Sequence, residues 1–237
     1  MMRPIDISRR LGLSTSTLRN YERQGLVPPC QRSQAGYRIY TEEHLAYFEC
    51  IEAMSLGFGM EITVQVVRGL QAKKMDSVLW LVTNSQANLY RDRQLAKSNI
   101  QMLESQEKET SSREESTEQE WMTIGEASAK TSIPASTIRH WEKIGLITLA
   151  RDPQNGYRWI NRSQLRKISL LRTLRSAVYS DTVVQLKQAI AELNHEDVAH
   201  ARKIAQETTQ YLDKMNQKQL RGMYYLYALC RSLHLIE

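Results

Sequence analysis

Leu18-Arg19-Asn20-Tyr21-Glu22-Arg23-Gln24-Gly25-Leu26 and Ile138-Arg139-His140-Trp141-Glu142-Lys143-Ile144-Gly145-Leu146 are one pattern written twice, 120 residues apart. The register continues without a gap to Gly36-Tyr37-Arg38 over Gly156-Tyr157-Arg158. Upstream, Ser8 and Arg10 lie over Ser128 and Lys130; downstream, Leu45, Phe48, Ile51 and Met54 lie over Leu165, Ile168, Leu171 and Leu174. A fixed offset held over such a length marks one supersecondary unit used twice.

Each copy reads as short helix, tight turn, short helix, hairpin, longer helix. Ile5 and Ile7 lead into a helix ending near Gly12, and Ser14 caps a second helix that stops at the C′ glycine Gly25. On that helix Leu18 and Tyr21 share an inward face, as do Ile138 and Trp141, while Thr15, Ser16, Arg19, Asn20 and Arg23 fall on the other side. Two short helices joined this closely predict a helix-turn-helix. Pro28-Pro29 then breaks the helix, and the stretch to Tyr40 predicts a small β-hairpin tipped near Gly36. Its counterpart, Asp152-Pro153-Gln154-Asn155-Gly156, contains Asn-Gly, a strong local hairpin signal. Thr41 with Glu42 and Glu43, and Asn161 with Gln164, begin a further helix.

Between the copies, residues 104–120 carry two Lys/Arg against seven Asp/Glu and almost nothing apolar, which predicts a hydrated acidic linker. Val82, Leu89, Ala96 and Leu103 recur every seven residues, with Leu79 and Ile100 at companion positions and Gln86 and Arg93 interrupting that second row. Val198, Ala205 and Leu212, with Ala201, Thr208 and Met215, form a like seam later. Leu226, Leu229 and Leu233 keep helical spacing in the aromatic-rich C-terminal segment. The expected fold class is therefore mainly α: tandem winged helix-turn-helix domains, each followed by a long coiled-coil-type helix, with small β-hairpin wings. The expected division is a first winged domain over 1–76, a coiled-coil helix over 77–103, the acidic linker over 104–120, a second winged domain over 121–195, and a coiled-coil helix with a C-terminal helix over 196–237.

The 237 residues are 41% apolar and 24% charged, enough for an ordinary core. Only two Phe and ten Gly argue against a turn-rich all-β sandwich. The net charge of +6 is unevenly placed: residues 121–175 hold ten Lys/Arg against three Asp/Glu, a block that points to a polyanion partner. Cys30, Cys50 and Cys230 are scattered and make neither a disulfide framework nor a CxxC metal clip. No run of uncharged apolar residues suggests a membrane span, and a cytoplasmic address is expected. No phosphate-binding Gly loop, paired carboxylates, metal-ligand cluster or nucleophile motif argues for an enzyme, a cofactor or a metal.

Together, Thr17-Leu18-Arg19-Asn20-Tyr21-Glu22 with Gly25-Leu26, then Gly36-Tyr37-Arg38-Ile39-Tyr40, and Gly57-Phe58 beyond, closely resemble the winged helix-turn-helix domain of the MerR family of bacterial transcription regulators. The resemblance implies that the second helix enters the major groove of double-stranded DNA and that the wing Tyr-Arg grips phosphates. On it, Thr15, Ser16, Arg19, Asn20 and Arg23 face the groove and Tyr37 and Arg38 the backbone; in the second copy the matching residues are Ala135, Ser136, Arg139, His140, Lys143, Tyr157 and Arg158. The chemistry is suitable, since Arg bridges guanine O6 and N7 or clamps a phosphate, Asn pairs with adenine, and hydroxyls serve either. A helix-surface alternative pairs Arg19 with Glu22 and Arg139 with Glu142 at i+3. Asn20 and His140 stand where the family usually has an aromatic residue, Trp159-Ile160 replaces the usual wing end, and Ala177-Val178-Tyr179-Ser180 lacks the Gly-Phe step, so the halves are expected to read different bases.

The family resemblance also implies dimers paired through antiparallel long helices, distortion of promoter DNA, and RNA polymerase as a partner. With two modules and two seams in one chain, a single-chain pseudo-dimer is expected; a homodimer carrying four modules is the competing arrangement. The alternative function is an adaptor or antirepressor in which one module binds a protein and only the basic second module binds DNA. The cysteine pattern of the family's metal and cluster sensors is absent, and the sequence assigns no effector site.

Overall fold

The computed structural model describes residues 1–110, 121–194 and 197–236. In the first module α1 (Pro4–Leu11) begins with Pro at a position whose N–H would be unpaired anyway and ends at the left-handed Gly12. Two residues later Ser14 accepts from the Thr17 N–H and starts α2 (Thr15–Arg23). The wing follows as β1 (Gln31–Arg32) paired antiparallel with β2 (Arg38–Ile39), turning through Gly36 at φ 80°. Next comes α3 (Glu42–Gln71), whose helical geometry breaks at Gly59. Its φ of 81° with ψ of 159° is a conformation open to glycine and costly for other residues, so the chain kinks there between two helices.

The second module repeats this plan with β3 (Met122–Thr123), α5 (Ile124–Thr131), α6 (Ala135–Lys143), β4 (Ala150–Arg151), β5 (Arg158–Ile160) and α7 (Arg162–Arg172). Strand β5 lies between β3 and β4; in the first module the matching outer pairing is the antiparallel bridge of Met2 with Tyr40, with hydrogen bonds of 2.8 Å in both directions. At the place of the Gly59 kink, residues 173–180 form a connection, and Ser180 caps α8 (Asp181–Glu192). Lys167 of α7 is buried and donates to the Ala191 carbonyl at 2.6 Å, satisfying an orphan acceptor at the end of α8. Mainly helical architecture with small antiparallel wings is thus the observed fold class.

The two long helices are α4 (Met75–Thr110) and α9 (Val198–Ser232). Helix α4 takes in the first seven residues of the acidic stretch 104–120; the linker expectation for 111–120 falls outside the described residues. The seam Val82, Leu89, Ala96 and Leu103 is buried throughout. Leu79 is not: Val78 takes the inward place with Val82, because a helix of 3.6 residues per turn drifts from a strict seven-residue repeat, and Leu79 turns outward. The long stretch of α3 matches a membrane span by length and hydropathy alone, but half of that window is packed inside the first unit described below.

The chain divides into two units, Met1–Ala87 with Lys214–Glu237, and Asn88–Asp213. The first combines its module with the beginning of α4 and the final turns of α9. There Leu226, Leu229 and Cys230 join Phe48, Ile51 and Met54 in one core, and Gln219 donates to the Gly57 carbonyl at 3.1 Å. Gln86 of α4, an interruption of the seam, donates to the Met223 sulfur at 3.0 Å. The second unit combines its own module with the rest of α4 and the beginning of α9. There Arg93, the other interruption, pairs with Asp213 at 2.5 Å, Asn99 donates to the Ser169 carbonyl at 3.2 Å, and the buried Asp92 accepts from Ser176. The polar residues that weaken the seam as a hydrophobic row are thus the ones with specific partners on α9.

Candidate nucleic-acid interface

Helix α2 divides as its periodicity requires. Leu18 and Tyr21 are buried, Ser16, Arg19 and Arg23 are exposed, and Thr15 and Asn20 lie between. Arg23 Nη2 donates to Asn20 Oδ1 at 2.7 Å, and Ser16 shares a hydrogen bond with the cap Ser14 at 2.6 Å, so the polar face is already organised. With Pro29 and Arg38 of the wing, Ser16, Arg19, Asn20 and Arg23 border one open groove. In α6, Ser136, Arg139, His140 and Lys143 are exposed while Ile138 and Trp141 are buried, and Ala135 starts the helix. Pro134 occupies the cap and supplies no side-chain hydrogen bond, unlike Ser14.

Between helix and wing the two copies share a brace. Arg38 Nε donates to Glu22 Oε2 at 2.6 Å, and Arg158 Nε donates to Glu142 Oε2 at 2.7 Å, each across 16 residues. The side chains remain 25% and 29% exposed, so the carboxylate holds one edge of each guanidinium while the group still reaches solvent. Arg151 adds a looser contact to Glu142 at 3.5 Å. Tyr37 and Tyr157 stand beside the braced arginines at the wing tips, 73% and 69% exposed. The brace settles what Glu22 and Glu142 do: they bind the wing arginines, and the i+3 pairing with Arg19 and Arg139 does not form. Spacing along one helix could not reveal this; recurrence of both acids with both arginines at the same offset was the available signal.

Burial pushes the Glu22 carboxyl upward, but hydrogen bonds from Arg38 and Cys30 outweigh it and hold the group below the usual carboxylate range. The Glu22 hydrogen bond in turn raises Arg38. For a depressed acid the stabilisation is present above the unfolded pKa, 4.5, and is lost as pH falls through the lower folded value. Glu22→Gln is therefore expected to lower the melting temperature at about pH 7, with a loss that shrinks steadily as pH falls below the ordinary carboxylate range. A loss that stays constant as the pH is lowered through the carboxylate range would contradict the ionic brace.

The sequence pattern described as MerR family regulatory protein matches residues 3–40 and 123–160, the two helix-turn-helix and wing segments. Among curated proteins, the HTH-type transcriptional regulator HmrR of Rhizobium leguminosarum bv. viciae is 37% identical over 95 residues, 39% of this chain and 71% of that protein. The HTH-type transcriptional regulators AdhR of Bacillus subtilis and CueR of Escherichia coli are each 38% identical, over 60 and 63 residues. Those matches cover 25% and 26% of this chain but only 43% and 47% of the relatives, so the chain spans somewhat under half the length of each. No solved structure matches the chain significantly. With both helix-turn-helix segments matched by the family pattern and most of HmrR covered, the chain belongs to the MerR family.

Proposed function

We propose that the chain is a sequence-specific, DNA-binding transcription regulator that grips one stretch of promoter duplex with two non-identical winged modules. The observation that carries this reading is the repeated brace: twice, a helix with an exposed polar face is tied through one carboxylate to an exposed wing arginine. A structural ion pair alone would not require an exposed tyrosine beside it in both copies. The groove face would read base edges, and the wings would hold phosphates on either side. Thr15, Ser16, Arg19, Asn20 and Arg23 serve the first half-site; Ser136, Arg139, His140 and Lys143 serve the second; Tyr37, Arg38, Tyr157 and Arg158 hold the backbone.

The pseudo-dimer is supported by the make-up of the units, each of which folds around helix contributed from the other half of the sequence. That exchange within one chain does the work that pairing of two protomers does in a homodimer. Distortion of the duplex between the half-sites would be offset by backbone contacts from two wings, and RNA polymerase is the partner that such distortion would serve.

Selection of bound duplex from a random pool tests the reading. An asymmetric site with two unlike halves is expected, whereas a single half-site would favour the adaptor. On the selected site, Arg19→Ala or Arg139→Ala is expected to cost about 1–3 kcal/mol, with little loss on unrelated duplex. Equal loss on both would remove these residues from base reading.

A further inference from the structure

In the first unit the final turns of α9 are apolar on two sides. One side, with Leu226, Leu229 and Cys230, is packed into the core. On the other, Leu220, Tyr224 and Tyr227 recur at i, i+4 and i+7 and are 69%, 66% and 51% exposed. A single exposed apolar side chain is ordinary on a protein surface. Three on successive turns of one helix face form a stripe, and a helix that is apolar on both sides is normally buried on both. The stripe is also held in shape: Tyr224 meets the Tyr225 ring edge-on with centroids 5.1 Å apart, and the Arg221 guanidinium lies over Tyr225 while pairing with Glu52 of α3 at 2.8 Å.

The beginning of α4 extends this face. The Cys230 sulfur stands 4.0 Å from that of Met75, and Gln86 donates to the sulfur of Met223, so the two helices run antiparallel in a fixed register. Leu79, one turn after Met75, therefore comes level with Tyr227, one turn before Cys230, and is itself 48% exposed. The charge around the stripe has one sign. Residues 214–236 contain Lys214, Lys218, Arg221, Arg231 and His234 and no Asp or Glu. Arg221 is answered by Glu52, whereas Lys218 and Arg231, at the two ends of the stripe, are exposed and have no ion-pair partner among the described residues.

We propose that this face of the first unit docks an acidic amphipathic helix of another protein, its apolar side laid over Leu220, Tyr224, Tyr227 and Leu79 and its carboxylates set against Lys218 and Arg231. A stripe spaced at i, i+4 and i+7 takes the ridges of a facing helix with the same spacing, and docking removes the exposed rings and leucines from water. The cations at both ends select a partner whose apolar row is flanked by Asp or Glu. A second copy of the chain fits less well, because a two-fold axis through the middle of the stripe would bring the cations at its two ends together. None of these residues belongs to the groove-facing or wing sets, so the docking does not rest on the DNA-binding reading.

The test selects peptides from a displayed library of random sequences, roughly 16 residues long, on the immobilised full chain without DNA. Sequences that also bind the triple variant Leu220→Gln, Tyr224→Gln, Tyr227→Gln are discarded. The expected survivors carry Leu, Ile, Phe or Met at helical spacing with Asp or Glu beside them. The strongest, made as a labelled synthetic peptide, is expected to bind one per chain, at least about tenfold more weakly to the triple variant, and about fivefold more weakly to Lys218→Glu with Arg231→Glu. Recovery of no variant-sensitive sequence, survivors rich in Lys or Arg, or charge-reversed chain that binds as well as the parent would overturn the proposal. The acidic pattern selected on the parent and the charge reversal carry the test even if the triple variant fails to fold. A parent that sediments as a dimer while the folded triple variant is a monomer would give the face to a second copy and overturn it, as would loss of duplex binding in that variant. A chain that takes the peptide but holds no duplex would sink the regulator and leave this surface standing.

Discussion

Replacing Arg38 and Arg158 together by alanine is expected to weaken binding to every duplex about a hundredfold at moderate salt and to flatten the dependence of log affinity on log salt by close to two units. Each phosphate neutralised contributes about 0.9 to that slope through counterion release, so two lost contacts give the figure directly. The affinity loss exceeds that of removing a loosely held surface cation because the brace orients each guanidinium before DNA arrives. Removal also leaves Glu22 without its counter-charge and Glu142 with only the looser Arg151 contact, their side chains 15% and 18% exposed. Adding Glu22→Gln and Glu142→Gln to the double variant is therefore expected to restore part of the affinity but none of the slope. Anisotropy titrations at several salt concentrations separate the two effects. A slope unchanged in the double alanine variant would place the wings away from the phosphates.

The largest expected effect on stability lies at Gly57. A Cβ there would stand 2.7 Å from the Gln219 nitrogen and the Lys218 carbonyl carbon, and 2.8 Å from the Lys218 oxygen, all backbone atoms of α9. Rotamer changes cannot relieve such contacts, so α9 must shift from α3, breaking the Gln219 hydrogen bond to the Gly57 carbonyl. Overpacking of this kind costs about 3 kcal/mol, of which better helix propensity returns up to about 1 kcal/mol. Gly57→Ala should thus lower the melting temperature clearly and increase hydrogen exchange in the final turns of α9. Gly125→Ala, where the nearest atom would be 3.8 Å away, is the matched control and is expected to be neutral or slightly stabilising. An equally small effect at Gly57 would contradict the close packing of α3 on α9.

The modules were legible in the sequence because their information is local and stated twice. Caps at Ser14 and Asn161, glycines at helix ends and wing tips, and the alternation of Leu18 and Tyr21 with polar neighbours each act within a few residues. The buried seam of α4 was legible from its spacing as well, except where helix drift put Val78 in place of Leu79. What spacing could not decide was the choice between equally suitable partners. Glu22 has Arg19 one turn away and Arg38 sixteen residues away, and only the folded wing selects the second. Likewise, Gln86 and Arg93 look like faults in an apolar row until Met223 and Asp213 are brought to them.

The claim on which the proposed function depends is that one polypeptide supplies both grips on a single duplex. Native mass measurement of the chain bound to its selected site, at micromolar protein, tests it most directly. One chain per duplex is the expected result, with both unlike half-sites protected from cleavage in the same complex. Two chains on each duplex, with a footprint symmetric about its centre, would contradict it.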